Sequence, residues 1–401
     1  MNILEEIQNC PVEWKELGEV CELKNGYTPS KTNKEFWENG TIPWFRLEDI
    51  RKNGRVLSNS LQHVSRNAIK GGKVFTANSL IVSTTATIGE VALITVPFLC
   101  NQQITAVMIK QKYEKDLDIK FLFYYLQILS SDMKKGINEG SFPIVSLSKM
   151  RSFKIPIPPL KIQEKIVQIL DKFTEYVTEL TSELTSRKKQ YSFYRDKLLS
   201  FEDEVYQVEW KTLNECLKKG KGTKITASQM KLLHKDGAPI RIFAGGKTYA
   251  DVNYGDIPDK DIHTEEAIVV KSRGIIDFEY CTEPFSFKNE FWSYSSDNEN
   301  INLRYIYHYL VHNKEYFQNI ANNMQMPQIS SNDTEKFKIP VPSLEIQSRI
   351  VQVLDNFDTV CNDLNIGLPR EIELRQKQYE YFREKLLTFV AEGEYTESRV
   401  E

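Results

Sequence analysis

Phe153 to Asp171 reads FKIPIPPLKIQEKIVQILD, and Phe337 to Asp355 reads FKIPVPSLEIQSRIVQVLD. A second shared block follows each, KQYSFYRDKLLSF ending at Phe201 and KQYEYFREKLLTF ending at Phe389. Solenoid repeats recur every ~20–50 residues, whereas these copies lie 184 residues apart. Each unit is therefore a domain plus a connector, and the chain is a tandem duplication. The stretches ahead of the shared blocks have little in common beyond an opening VEWK, at Val12 to Lys15 and Val208 to Lys211. Two similar frames hold two dissimilar inserts.

The connectors read as long heptad helices. In the first, the seam runs through Ile166, Leu170, Phe173, Val177, Leu180 and Leu184, then Arg187, Tyr191, Tyr194 and Leu198, in steps of three and four, the pattern of a coiled coil. Pro156, Pro158 and Pro159 set its start, because proline is tolerated ahead of a helix or in its first turn but not inside it. The second connector repeats the seam through Ile350, Leu354, Phe357, Leu364 and Leu386, with four residues added between Asp355 and Gln378. A four-residue insertion is a stutter, and Gly367 and Pro369 within it predict a break. In the first connector TELTSELT, Thr178 to Thr185, is two copies of a four-residue unit, each adding ~6 Å of helix. Such a rod acts as a ruler. Two helices with matching seams most simply lie antiparallel on each other, with the inserts at opposite ends about a pseudo-twofold.

Composition narrows the setting. Charged residues make up 27% of the chain and Gly and Pro are sparse, which describes ordered globular domains. The acidic start, MNILEEIQNCPVEW, is unlike a signal peptide, and no apolar run reaches the ~20 residues of a membrane span. We expect a cytoplasmic protein with no membrane partner. The six cysteines are scattered without a CxxC pair, so reduced thiols are expected rather than a disulfide frame or zinc ribbon. Net charge is +3 over residues 1–152, zero over 153–208, −2 over 209–336 and −4 over 337–401. Any DNA contact must come from local basic loops, and is expected to be weak without a helper subunit.

The twin IPIPPL and IQEKIVQILD patterns, each followed by a long helix and preceded by a variable block opening near a WKEL-like turn, resemble the specificity (S) subunit of Type I restriction-modification systems. The resemblance implies an α+β fold with two globular, mixed, mostly β target-recognition domains separated by a long antiparallel two-helix coiled coil. It places target-recognition domains at 1–152 and 209–336, conserved helical regions at 153–208 and 337–391, and an acidic tail at 392–401. It further implies a noncatalytic subunit that reads a bipartite asymmetric site on double-stranded DNA and docks two adenine-N6 methyltransferase subunits, which restriction-translocase subunits join. No cofactor is expected in this chain; S-adenosylmethionine, ATP and magnesium are expected in the partners. TELTSELT resembles the short repeat that sets the half-site spacer in some members.

In the first insert the resemblance makes LKNGYTPSK, Leu23 to Lys31, a DNA-facing loop. Lys24, Lys31 and Arg46 can reach phosphates, and Tyr27, Thr28 and Ser30 can offer hydrogen bonds; an ordinary surface loop before an edge strand reads the same way. SLIVSTTATIGEVALI gives two β segments around a Thr-rich turn with Thr84 and Thr85. CNQQITAVMI gives a strand opened by Asn101, Gln102 and Gln103, amides that suit adenine or simply finish a strand. In the second insert, IRIFAGGKTY presents Arg241, Lys247 and Tyr249 on a glycine turn, and AIVVKSRGIIDF carries Lys271, Ser272 and Arg273 into a basic turn. The loops just ahead of the connectors align, with Ser141 and Phe142 in the first and Gln325 and Gln328 in the second.

Other patterns fail on spacing. GGKT lacks the first glycine of a P-loop, since Arg241 stands in its place. His308 and His312 are four apart, but no Glu follows His308 as in HExxH, so no zinc site is expected. Pro258 and Asp259 lack the downstream Glu-x-Lys of a nuclease. No NPPY-type tetrapeptide or glycine-rich methyl-donor loop is present, and no catalytic residue is assigned. The rival readings are a coiled-coil scaffold whose heads bind proteins and the specificity domain of a related DNA-modifying enzyme. Sequence-dependent, salt-sensitive duplex binding separates the scaffold from the reader.

Overall fold

The structure, a computed structural model, describes residues 3–85, 87–135, 144–201, 208–322 and 327–389. The fold is α+β, and the chain divides into two compact units, residues 1–179 with 373–401 and residues 180–372. Ser141, Phe142, Gln325 and the acidic tail lie outside the described residues.

In the first unit a five-stranded sheet runs in the order Cys21–Asn25, Ile104–Ile109, Ser79–Ser83, Val91–Ile94, Val56–Leu57. The runs SLIVS and VALI show no polar alternation because both faces are covered. Leu80, Val82, Val91 and Leu93 face the helix Ile119–Lys135. Ile81, Ala92 and Ile94 point the other way, against Phe45 and Phe98. The period of two thus splits one apolar run between two cores. On that second face lies a small sheet whose central strand, Ile42–Phe45, pairs antiparallel with His63–Val64 and parallel with Leu99–Cys100.

The second unit repeats this plan. Its four-stranded sheet has the order Lys218–Lys221, Trp292–Ser295, Ala267–Lys271, Asp277–Cys281, and its small sheet centres on Ile240–Phe243, antiparallel to Tyr249–Val252 and parallel to Phe285–Phe287. Ile268 and Val270 face the helix Leu303–His312, while Ala267 and Val269 face Phe285 and Phe287. The inserts that look unrelated as sequences share one topology, to which the first adds Val56–Leu57 at the edge of its larger sheet.

The shared blocks explain why. Trp14 sits opposite Pro156 in one two-stranded ribbon and Trp210 opposite Pro340 in the other, where a proline without an N–H is tolerated. Gln163 donates to the carbonyls of Pro158 and Asp116, both at 2.7 Å, and accepts the Asp118 N–H at 2.8 Å. Gln347 donates to Pro342 and Asn300, at 2.8 and 3.0 Å, and accepts the Asn302 N–H at 2.9 Å. Both side chains are fully buried, so this full set of partners is required. About two turns on, Asp171 takes Lys120 at 2.6 Å and the Tyr124 hydroxyl at 2.7 Å. Asp355 takes Arg304 at 2.9 Å and His308 at 2.7 Å. Each pair of residues fixes a head to the root of its connector.

The first connector is one unbroken helix, Leu160–Ser200. The distal one is two, Leu344–Asn362 and Leu368–Leu387. The break expected at Gly367 and Pro369 is present: the Asp363 carboxylate takes the N–H groups of Asn365 and Ile366 at 2.6 and 3.1 Å, and Pro369 occupies the first turn of the new helix. A Cβ on Gly367 would stand 2.5 Å from the Thr359 carbonyl oxygen, so glycine is required there. Leu364 is a correction to the predicted seam. It lies in the turn, 72% exposed, because the helix has already ended at Asn362.

Ile166 and Leu170 are buried in the first head's core and Ile350 and Leu354 in the second's. Beyond them the helices meet each other antiparallel. Phe173 stacks on Phe382 with ring centroids 5.3 Å apart and Arg375 lies over Tyr176, both in the first unit. Tyr191 and Tyr194 stack on Phe357 in the second. Val177, Leu180 and Leu184 are half-buried, as a two-stranded seam requires. The ends of the helices finish the cores: Leu386, Leu387 and Phe389 join the first head, and Leu198, Leu199 and Phe201 the second.

Candidate nucleic-acid interface

The first head carries a 650 Å³ cleft lined by Thr28, Lys31, Lys34, Trp37, Glu38, Trp44, Arg46, Gln62, Asn101 and Gln102. Its wall exists because the chain passes within touching distance of itself. A Cβ on Gly26 would stand 2.2 Å from the Cys100 carbonyl oxygen, so only glycine lets the loop after Asn25 close on the turn at 101–103. The Tyr27 N–H donates to that same carbonyl at 2.7 Å. The Thr28 hydroxyl then donates to the Gln102 carboxamide oxygen.

Two tryptophans make the floor. Trp44 is buried and meets Trp37 edge-on, ring centroids 5.0 Å apart; their indole N–H groups donate to the Tyr27 and Ser30 carbonyls, each at 3.0 Å. The Arg46 guanidinium lies over Trp44 at 5.6 Å and pairs with Glu48 at 3.0 Å, its Nε buried without a partner. Lys31 and Lys34 are exposed at the rim. Cations at the rim, amides and a hydroxyl on the wall and a fixed aromatic floor suit phosphate oxygens and base edges together.

Of the predicted residues, the fold therefore brings Thr28, Lys31, Arg46 and Gln102 into one cleft. The others are placed elsewhere. Lys24 pairs with Glu22 at 2.6 Å on an exposed strand. Tyr27 is a brace, donating to the Ala68 carbonyl and accepting the Lys70 N–H, each at 2.9 Å. Ser30 exchanges a hydrogen bond with Thr32 at 2.8 Å. Thr84 is buried, and Thr85 bridges to Ile144, holding the segment ahead of the connector. Gln103 is half-buried and accepts from Asn101 at 3.2 Å. Lys34, Trp37 and Gln62 escaped the sequence reading. NKEFWENG is an aromatic run with one lysine beside the chosen loop, but Gln62 joins the cleft only through the small sheet's pairing.

In the second head Arg241 makes two hydrogen bonds to Asp251, at 2.8 and 3.1 Å, and stacks 4.2 Å over Tyr249. That carboxylate raises the Arg241 pKa further, so its charge is permanent. Lys247 stands exposed at the tip of the hairpin turned by Gly245 and Gly246. Lys271 serves the interior: 3% exposed, it binds the Gly246 carbonyl at 2.9 Å and Glu279 at 2.5 Å. Ser272 is buried and donates to the Glu290 carbonyl at 2.8 Å. Arg273 is exposed and bridges to Gln328, as Thr85 does to Ile144.

All six cysteines are free, and burial pushes the Cys21 and Cys281 thiols up to about 12, far from a reactive thiolate. Among the described residues no group of three or more His, Cys, Asp or Glu is arranged to hold a metal, and no helix is long and apolar enough to cross a membrane.

The family model for the Type I restriction modification DNA specificity domain matches the chain twice, over residues 11–187 and 207–374. The chain is 39% identical over 369 residues to the Type I restriction enzyme EcoprrI specificity subunit of Escherichia coli, covering 88% of this chain and 89% of that protein. It is 36% identical over 293 residues to the EcoR124I/EcoR124II specificity subunit of the same organism, covering 68% and 71%. Among solved structures, the S subunit of a Type-I restriction-modification system from M. genitalium matches with a TM-score of 0.62 at 17% identity, covering 96% of this chain and 98% of that one. The HsdS subunit from Thermoanaerobacter tengcongensis matches at 0.52 and 17%, covering 94% and 96%. At such identities the structural likeness speaks for the fold.

Proposed function

The chain belongs to the Type I restriction modification DNA specificity family, and from that premise we propose that its two heads read the unlike halves of one split, asymmetric DNA site. DNA sequence recognition is the role of a specificity subunit; the division of labour is our reading. The observation that carries it is the repetition of one topology with different exposed polar groups on each copy: an amide, hydroxyl and lysine cleft in the first head, an Arg241, Lys247 and Tyr249 surface in the second. One scaffold with two surfaces suits two different half-sites on one duplex.

In this reading residues 1–152 and 209–336 are the recognition domains, and the connectors dock two adenine-N6 methyltransferase subunits and set the spacer. The chain itself is noncatalytic and works in the cytoplasm. S-adenosylmethionine belongs to the methyltransferases, and ATP and magnesium to restriction-translocase subunits. The methyltransferases would take the target adenine out of the stack, which requires the site to be held in register on the duplex.

The test is the methylated-adenine motif of the source cell, compared with a strain in which residues 209–336 are exchanged for those of another specificity subunit. We expect one half of the motif to change and the other to stay. A motif altered in both halves or in neither overturns the modular reading. Purified complex that binds DNA without sequence preference, or whose affinity ignores salt, favours the protein scaffold instead.

A further inference from the structure

The two heads share one more device, visible only when their backbones are matched bond for bond. Asn101 donates its N–H to the Phe45 carbonyl at 3.1 Å, and Lys288 donates to Phe243 at 3.1 Å. Three residues on, Ile104 donates back to Asn101 at 3.2 Å, and Phe291 to Lys288 at 2.9 Å. The Thr84 hydroxyl reaches the Gln103 carbonyl at 3.4 Å, and the Ser272 hydroxyl reaches that of Glu290 at 2.8 Å. The approach of Gly26 to Cys100 recurs as Gly222 against Phe287, each with a would-be Cβ 2.2 Å from the carbonyl oxygen. The turn 101–103 is therefore the turn 288–290 in another sequence.

Within that frame the side chains divide the same way. The first and third residues bind each other: Asn101 donates to Gln103 at 3.2 Å, and Lys288 pairs with Glu290 at 2.6 Å. Their polar ends are engaged inside the turn. The middle residue is left exposed at the apex in both heads, and in both it is a carboxamide, Gln102 or Asn289. Elsewhere the two inserts agree at few positions. An amide carried on a rigid turn is presented from a fixed backbone position, and an amide can pair with the N6 and N7 edge of adenine. The Thr28 hydroxyl already orients the Gln102 carboxamide by its oxygen, leaving both amide protons and a second lone pair.

We propose that Gln102 and Asn289 are equivalent specificity-determining residues, each reading an adenine in the half-site of its own head. The assignment rests on the DNA-reading function proposed above and adds the residue and the base to it. The experiment uses the full chain in complex with its methyltransferase subunits. Its probes are duplexes carrying the methylated motif of the source cell, with each base pair replaced in turn. For Gln102→Ala, discrimination at one A·T pair of one half-site falls by on the order of ten-fold to a hundred-fold, the size of a lost bidentate contact. Asn289→Ala does the same in the other half only. Binding to noncognate duplex and its salt slope stay as in the parent, because neither amide carries charge. That second readout also reports that each variant is folded. Variants that keep full discrimination at every position overturn the proposal while the DNA-reading function stands. A parent complex without sequence preference removes both.

Discussion

Gln163 and Gln347, themselves fully buried, each hold three backbone groups, and their removal takes the side-chain partner from those groups. Orphaned buried polar groups cost ~1–3 kcal/mol each. Gln347→Leu should therefore lower the stability of the second unit by about 2–3 kcal/mol, seen as an earlier melting transition, with Gln163→Leu doing the same to the first. The aspartates about two turns on differ more. Burial, opposed by the Asp355 hydrogen bond and charge, holds His308 below the ordinary histidine value. Burial alone would raise Asp355, but hydrogen bonds from Arg304 and His308 outweigh it and keep it ionised. His308 is thus favoured as the neutral donor in the folded state. A base with a lowered folded pKa stabilises fully above its unfolded value, and that stability is lost as pH falls from there toward the lowered value. The second unit should lose melting temperature as pH drops below the mid-sixes, with His312, also lowered by burial, acting in the same window. His308→Tyr, which copies Tyr124, should flatten that slope; an unchanged slope in a melting series from pH 7.5 to 5 would count against the assignment. Tyr124 itself is pushed far above the usual phenol value by burial and by Asp171, so the first unit has no such dependence from this position.

At the scale of elements, the closing turns of the helices behave as core segments. Leu199 and Leu387 are each 2% exposed, and Leu→Ala at such sites costs ~2–5 kcal/mol. Leu387→Ala should destabilise the first unit and Leu199→Ala the second, so unit-resolved hydrogen exchange should report loss of protection in opposite sheets. The duplicated KLLSF and KLLTF blocks were legible as sequence, and so were the seam, the start at the prolines and the break at Gly367. Their partners were not. A heptad pattern reports that a face is apolar, and Leu386 satisfies it equally well against a helix or against a head. The common topology of the inserts was hidden for a related reason. A central strand here needs only an apolar run that both faces can bury, and SLIVS and AIVVK meet that need with unrelated residues. The cleft of the first head was half legible: a Gly, Lys and Tyr loop announced itself, but Gln62 joins the cleft only once Ile42–Phe45 pairs with its neighbours. Lys271 misled because a basic residue at a strand end looks solvent-facing, and nothing local reveals Glu279 across the pair Asp277–Cys281 and Ala267–Lys271.

For the whole molecule, the spacer reading has a length attached. Removing Thr178 to Thr181 takes out ~6 Å of helix, against ~3.4 Å per base pair. The gap between the methylated half-sites should shorten by about one or two base pairs while the half-sites keep their bases; an unchanged gap in the methylated motif would remove the ruler from the proposed function. The way the first head is finished has another outcome, in time rather than space. Leu386, Leu387 and Phe389 complete a core whose other members are all translated by Leu170. At ~5–20 residues per second, about ten to forty seconds of synthesis separate the two. Throughout that interval the nascent head lacks the residues that fill its apolar seat, and a ribosome that stalls late in the message leaves behind a polypeptide without them.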